Sequence, residues 1–479
     1  MKRSRDDDEK VLVPRARHID AVLKATLQGI REELELPVSF PPEVESEALE
    51  AVGRAALPDD DRTGIPFVTI DPPLATDLDQ ALHIERDGDG YTVHYAIADV
   101  AAFVPPGGAI DAETRSRGQT LYAPDGRIPL HPPVISEDAA SLLPDRERGA
   151  YLWSFHLDSR GEVTETTLAR ARVRSRAQLS YEEAQRLIDA GDDDALQLLR
   201  EVGLRRIELE RERGGASLNR PDEEIDLVDG RYTLTRRPPL PVEQWNAQIS
   251  LMTGMAAARI MLDGGVGILR TMPEPDPETI ATFRRQVEAL GCPWPEGMPY
   301  GEFLRGLDHG TPSGLAAVHA AASLFRGAGY TAFDGEAPAE SAQAAVAAPY
   351  AHATAPIRRL VDRFVLVACE ALLAGRPVPD WVREALPTLP KLMSQSSGLA
   401  SRLEHASVEA IEAALLTPHV GEVFAATVIA ANGSGGRIQL ADPVVTATVD
   451  GDVAPGTHVR VRLTSADIPT GTVVFELDR

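Results

Sequence analysis

Two consecutive prolines, Pro72 and Pro73, lie between two strand-like runs and dictate how the chain passes from one to the other. The stretch is FVTIDPPLATDLDQAL, residues 67–82. Proline has no N–H to give to a central ladder, so the chain must loop out directly after Asp71. Asp71 then ends one strand, and Asp77 and Asp79 fall on the loop that leads into the next, just before Gln80. Asp77 and Asp79 are two residues apart, which in extended chain turns both side chains to one side.

Carboxylates gathered at a strand end repel one another unless a cation lies between them. No histidine or cysteine is close in sequence, and oxygen-only ligands suit Mg²⁺ or Mn²⁺ better than Zn²⁺. Such a site polarises a phosphodiester and activates water, and two ions ~3.5–4 Å apart stabilise attacking and leaving oxygens together. A solvated acidic loop is the competing reading of the same spacing. An EF-hand fits worse, because its loop glycine and terminal glutamate are absent.

A second element is YAHATAPIRRLVDRF, residues 350–364. Pro356 suits the first position of a helix, where its missing N–H costs nothing, so a helix is expected over 356–374. Arg358 and Arg359 then fall in the first turn, where the helix dipole favours anions over cations. A phosphate shared by the helix end and the guanidinium groups would resolve that conflict. An ion pair with a nearby carboxylate such as Asp362 would resolve it equally well.

The rest of the chain reads as mixed α and β. Residues 1–10 are charged and read as disorder, and helices are expected over 15–36 and 43–56. The run LPDDDRTG (57–64) is a turn-rich linker. Strands follow at 67–70, 81–85 and 91–100, with DGDG (87–90) as a hairpin turn. A strand over 165–180 carries Arg170, Arg172, Arg174 and Arg176 on one face, either as a basic wall or paired with acids such as Glu162 and Glu165. Helical periodicity marks 181–213, 243–262, 276–290, 313–327 and 396–415. The last 60 or so residues hold five short β segments between glycine-rich turns, which predicts a small OB barrel beyond Pro418 and Gly421.

Composition sets the limits. The chain has 479 residues, 43% of them hydrophobic, enough for two or three domains. No apolar run approaches the ~20 residues a bilayer span needs, and MKRSRDDDEK has no apolar segment behind its basic residues, as a secretory signal would. Cys292 and Cys369 are too few for a disulfide framework or a cysteine zinc site, so a cytoplasmic protein is expected. The 48 basic and 73 acidic residues give a net charge of −25, which speaks against a general nucleic-acid binder unless a local basic groove exists.

Together these segments resemble the ribonuclease II / ribonuclease R family of RNB-domain exoribonucleases. The family motif I-D-x5-D-x-D-D-A is matched by IDPPLATDLDQA, and T-S-P-I-R-R-Y-x-D by TAPIRRLVD. AIADVAAFV (96–104), LYAPDGRIPLHPP (121–133) and LSYEEAQ (179–185) are also similar to family sequence. The resemblance implies an α+β fold with a helical region over 1–62, an RNB-like catalytic domain with mixed sheet and surrounding helices over 63–416, and a small RNA-binding OB barrel over 417–479. It implies a Mg²⁺-dependent (or Mn²⁺-dependent) 3′→5′ exoribonuclease that cuts single-stranded RNA into nucleoside 5′-monophosphates. No nucleotide cofactor and no membrane are involved, and a monomer is expected.

Residue by residue, Asp71, Asp77 and Asp79 become metal and catalytic carboxylates, with Gln80 where the family has a fourth aspartate. Arg358, beside Arg359, stabilises charge on the scissile phosphate. Tyr122 matches the tyrosine that stacks on the 3′-terminal base, Tyr181 one that contacts RNA, and Glu404 a glutamate near the RNA path. Leu218 in ASLNRPD stands where an aromatic sandwiches the far end of the base stack, and a ribose-reading glutamate falls near Ala247 or Gln248. Gln80 offers a neutral oxygen without charge, so weaker metal binding is implied, and an RNA-binding protein with weakened or absent catalysis is the alternative. The two cold-shock barrels usual before the catalytic domain are replaced here by the helical 1–62 segment.

Overall fold

The computed structural model describes residues 5–216, 222–228, 231–237, 239–308, 310–431, 433–440, 442, 443 and 445–478. Leu218 lies outside the described residues. Helices α1 (Arg5–Glu33) and α2 (Pro42–Arg54) come first. The first helix starts earlier than expected, because the acidic run after Arg5 suits a helix N-terminus.

Five strands then close into a barrel: β1 (Phe67–Ile70), β2 (Gln80–Asp87), β3 (Gly90–Ala98), β6 (Glu147–Leu157) and β7 (Val163–Leu179). Neighbours are antiparallel except that β1 pairs with β7 in parallel, which closes the ring. The expected mixed sheet is therefore a closed one. Strand β3 is buried at eight of its nine residues, because one face fills the barrel and the other is covered. Trp153 and Phe155 of β6 stack at 5.8 Å within the core. Between β3 and β6 lie α3 (Ala109–Arg117) and a short hairpin, β4 (Leu121–Ala123) and β5 (Gly126–Ile128).

Helices α4 (Tyr181–Ala190) and α5 (Asp194–Glu212) replace the single helical run expected over 181–213. Gly191 ends the first in the left-handed region, and Asp193 caps the second. The hairpin β8 (Asp222–Val228) and β9 (Arg231–Arg237), helix α6 (Pro241–Gly264) and strand β10 (Val266–Thr271) follow. A small helical unit, α7 (Pro277–Ala289), α8 (Tyr300–Arg305) and α9 (Pro312–Ala321), has its own core around Phe283, Trp294 and Phe303. Then come β11 (Gly329–Asp334), β12 (Ala342–Gln343), β13 (Ala348–Pro349), α10 (Leu360–Leu373), α11 (Asp380–Ala385) and the long α12 (Leu389–Leu416).

The C-terminal strands β14 (Val423–Ala431), β15 (Gly435–Leu440), β16 (Thr446–Asp450), β17 (His458–Asp467) and β18 (Thr472–Leu477) close into a second barrel. Its order is β14-β15-β16-β18-β17, with β16 and β18 parallel and β17 returning to β14, the OB topology expected from the sequence. Among the described residues no helix is long and apolar enough to cross a membrane.

Candidate active site

The mouth of the first barrel is built by its closure. In the parallel β1/β7 pair the Asp71 N–H donates to the Leu179 carbonyl at 3.1 Å, so the end of β1 and the start of α4 lie at one rim. The chain leaves the sheet at Pro72, as the prolines require, and Leu74 stands fully out in solvent with φ 64°. Leu78 anchors the returning loop by burying completely. Ser141 fixes the same loop, accepting from Leu78 N–H at 2.9 Å and donating to the Thr76 carbonyl at 2.7 Å.

The three aspartates meet different surroundings. Asp79 is 3% exposed, and its Oδ1 accepts from Ile357 N–H at 2.7 Å. Its Oδ2 is buried without a hydrogen-bond donor, with Arg358 Nε at 3.4 Å. Burial pushes the Asp79 carboxyl well above its usual range, against the pull of Arg358. Asp71 Oδ2 is likewise buried without a donor, and burial raises that carboxyl to about 6, opposed by Arg358 and reinforced by Asp77. Asp77 is already engaged: Arg127 binds its Oδ1, and the Tyr122 hydroxyl donates to Oδ2 at 3.2 Å. Among the described residues no group of three or more His, Cys, Asp or Glu side chains is gathered to hold an ion. The acids share a rim without closing on one point, and Asp77 is paired with the Arg127 guanidinium.

The donor set still suits a hard cation. Two buried carboxylate oxygens, one on Asp71 and one on Asp79, have no donor, which is costly without a counter-charge. Gln80 is otherwise engaged: its Oε1 accepts from the Tyr95 hydroxyl and from Ser250 Oγ at 3.3 Å.

The second arginine element differs from expectation in one respect. The helix begins at Leu360, with Arg359 as its N-cap, so Arg358 sits on a turn ahead of the helix. Strand-like pairing holds that turn instead: Thr120 N–H donates to the Arg358 carbonyl at 2.9 Å, and Leu360 N–H to Gly118 O at 3.0 Å. The two open readings of the arginines divide between them. Arg359 forks onto buried Asp362 at 2.5 and 2.7 Å, while Arg358, 49% exposed, faces Asp79.

A cleft of about 700 Å³ brings several of the expected residues together. Tyr122, Arg358 and Arg359 line it, together with Glu404, Ser407 and Val408 of α12. The Tyr122 ring is 53% exposed, open to a stacking partner. Tyr181 stands apart from this lining, at the first turn of α4 and packed on the main core. The arginine row of β7 faces outward, alternating with buried Ala171, Val173 and Ser175. It is largely paired: Arg170 with Asp99, Arg172 with Asp61, Arg176 with Asp193. These partners come from distant segments, so they differ from the neighbouring glutamates expected. Gln248, where the resemblance led us to expect a ribose contact, is buried and donates to Glu210 at 2.6 Å. Arg127 was not singled out from the sequence; its only signal is the register that sets it opposite Tyr122 on the β4–β5 hairpin.

Comparison with known proteins gives concordant matches. The family model described as RNB domain matches residues 60–375, and that described as RNase II-type exonuclease C-terminal S1 domain matches 422–478. Ribonuclease R of Escherichia coli is 27% identical over 371 residues, 71% of this chain and 44% of that protein. An Arabidopsis thaliana protein named inactive exonuclease DIS3L2 is 40% identical over 129 residues, 27% of this chain and 12% of its own length. The chain thus spans less than half the length of these curated relatives. Mycoplasma genitalium RNase R, solved in complex with ribose-methylated single-stranded RNA, superposes with a TM-score of 0.84 at 17% identity. That match covers 94% of this chain and 77% of the Mycoplasma chain.

Proposed function

The chain belongs to the RNB-domain family, and on that premise we propose that it is a hydrolytic 3′→5′ exoribonuclease releasing nucleoside 5′-monophosphates from single-stranded RNA. The observation that carries this reading is the pairing across the cleft mouth: an exposed guanidinium, Arg358, 3.4 Å from a buried and otherwise undonated carboxylate oxygen of Asp79. Asp71 and Asp79 would hold a Mg²⁺ or Mn²⁺ ion, joined by Asp77 if Arg127 lets it go. When bound, the ion supplies Lewis-acid polarisation of the phosphodiester and a more acidic water.

The chain's own groups do the remaining work. Arg358, free on its solvent side, neutralises charge that develops on the phosphoryl oxygens. Tyr122 offers its face to the 3′-terminal base, since every base has a π-face to stack. Its hydroxyl bond to Asp77 fixes the ring relative to the acids. Glu404 and α12 form the opposite wall and limit the width of what enters. Arg359 acts through Asp362, whose Oδ1 also accepts from Ala355 N–H at 2.8 Å. That pairing shapes the turn and leaves Arg358 to the substrate.

A 5′-labelled and a 3′-labelled single strand incubated with the protein and Mg²⁺ test the proposal. Immediate release of labelled mononucleotide from the 3′ label, with stepwise shortening of the 5′ label, is the expected pattern. Release from the 5′ end, internal cuts or no metal requirement would refute it. One observation favours a second reading, an RNA-binding protein without turnover: the position of the fourth acid is a glutamine whose oxygen is already taken by two hydroxyls. RNA binding with no product in either Mg²⁺ or Mn²⁺ would select that reading.

A further inference from the structure

The turn that carries Arg358 and the hairpin that carries Tyr122 are joined by a histidine with no part in the chemistry described so far. His131 lies in the segment LYAPDGRIPLHPP, three residues after β5. It is 1% exposed, and its Nδ1 lies 2.9 Å from the Ile357 carbonyl oxygen. A carbonyl only accepts, so Nδ1 carries the hydrogen and donates. Burial, with Arg363 and Arg117 nearby, pushes the ring down to about 3, against the pull of the Ile357 carbonyl. At neutral pH His131 is therefore an uncharged donor.

The backbone under the histidine is fixed from several sides. Arg117 donates to the Pro129 carbonyl at 3.1 Å, Leu130 N–H to Thr120 Oγ1 at 3.1 Å, and Ser136 Oγ to the His131 carbonyl at 3.2 Å. Pro129, Pro132 and Pro133 restrict the dihedrals around it.

Across the bond stand the groups that face one another in the site. Ile357 N–H donates to Asp79 Oδ1 at 2.7 Å, while the Ile357 carbonyl belongs to the peptide that leads into Arg358. The Arg358 carbonyl accepts from Thr120 N–H at 2.9 Å. The peptides on both sides of Arg358 are thus pinned, one by His131 and the other by Thr120, which flank the β4–β5 hairpin. Ile357 is itself buried in one cluster with Leu78, the residue between Asp77 and Asp79.

Resting on the proposed function for the roles of Asp79 and Arg358, we infer that His131 is a positioning residue for the cleavage step. Its Nδ1–H sets the peptide between Ile357 and Arg358, and so aims the Ile357 N–H at Asp79 and the Arg358 guanidinium at the site, while touching neither RNA nor ion. A shift of ~1 Å in such a support costs up to ~10²-fold in rate. Stacking on Tyr122 persists, because Thr120 and Asp77 still hold the hairpin.

Full-length protein carrying His131→Leu or His131→Asn tests this. Leucine fills much of the ring's space and donates nothing, whereas the asparagine amide places an N–H close to where Nδ1–H was. His131→Leu should lower kcat about tenfold or more with KM for RNA within about twofold, and His131→Asn should keep kcat within about threefold of the parent. A leucine variant with parental kcat, a rise in KM alone, or an asparagine variant as slow as the leucine one would overturn the inference. Hydrogen exchange without RNA or metal gives a second readout. Peptides spanning 355–360 should exchange faster in His131→Leu and as the parent in His131→Asn; equal exchange in all three would overturn it as well. Should His131→Leu not fold, His131→Met takes its place with a more adaptable side chain. If the parent itself releases no nucleotide in Mg²⁺ or Mn²⁺, the proposed function fails, and the exchange comparison alone decides whether His131 holds the turn.

Discussion

Both closed barrels are built from five strands with a single parallel pair, yet the pair stands in different places. In the first, it joins the opening and closing strands, β1 and β7, so Asp71 and the start of α4 emerge at the same rim. In the second, it joins β16 and β18, and the corresponding rim ends in Asp450 and Glu476, both exposed. Acidic residues therefore stand at both rims. In the first, Asp71 and Asp79 each keep one buried oxygen without a donor and feel the charge of Arg358; the acids of the second are solvated. Burial with an unmet charge, rather than acidity, marks the candidate site.

The largest expected effect breaks or sustains that contrast directly. Asp79→Asn keeps an oxygen for Ile357 N–H but removes the charge facing Arg358. Turnover should fall at least ~10³-fold, with RNA affinity held within about threefold because phosphate and stacking contacts persist. Asp450→Asn, at the rim of the second barrel, should leave both quantities unchanged. Single-turnover rates and filter binding measure the two. Equal losses from both substitutions would show that burial does not distinguish the barrels.

Next in size are the adjacent arginines. Arg358→Ala should lower kcat by ~10²–10³-fold, the usual loss of a transition-state donor, with denaturation midpoint near that of the parent. Arg359→Ala should do the opposite, because it strands Asp362, which is fully buried. Breaking such a pair costs ~3–5 kcal/mol, visible as a lower urea midpoint. If the two variants exchanged phenotypes, the roles assigned to these neighbours would be reversed.

Much of the architecture was legible because its signals are local. The loop after Asp71 follows from Pro72 and Pro73, the barrel at the C-terminus from five short apolar segments between glycines, and the helices from their period. Barrel closure was not legible, since the parallel pairing of Phe67–Ile70 with Ser175–Leu179 joins strands a hundred residues apart. For the same reason the partners of the β7 arginines were misjudged: Asp61, Asp99 and Asp193 are brought in by the fold, while Glu162 and Glu165 are near only in sequence. The helix start at 360 rather than 356 was hidden because Pro356 suits a turn as well as a first helical position. Arg127 escaped for a related reason: a guanidinium that occupies Asp77 carries no motif of its own.

A smaller effect concerns the cleft wall opposite α12. Tyr122→Ala removes a half-exposed ring and its bond to Asp77. Loss of one stacking contact should weaken RNA binding by ~1–3 kcal/mol, and digestion should stop at a longer remnant. The salt dependence of binding should stay as in the parent, because no phosphate contact is lost. A change in that slope would mean that Tyr122 acts on the backbone rather than on a base.

The smallest expected effect probes why the first barrel tolerates glutamine beside its acids. Tyr95 is 1% exposed, and its hydroxyl donates to Gln80 Oε1 while meeting Ser250 Oγ at 2.7 Å. Tyr95→Phe deletes that bond and leaves Ser250 as Gln80's remaining partner, at a cost of ~1 kcal/mol in stability. If Gln80 serves the barrel wall, turnover and Mn²⁺ affinity should both stay within about twofold, since Ser250 still holds the amide. If Gln80 is a ligand kept in reserve, the released oxygen should tighten Mn²⁺ binding severalfold, measurable by titration calorimetry without any RNA present. The hydroxyl pair around a neutral amide favours the first outcome: both groups can donate to Oε1, and an amide oxygen that already accepts two hydrogen bonds has little to offer a cation that is better served by charge.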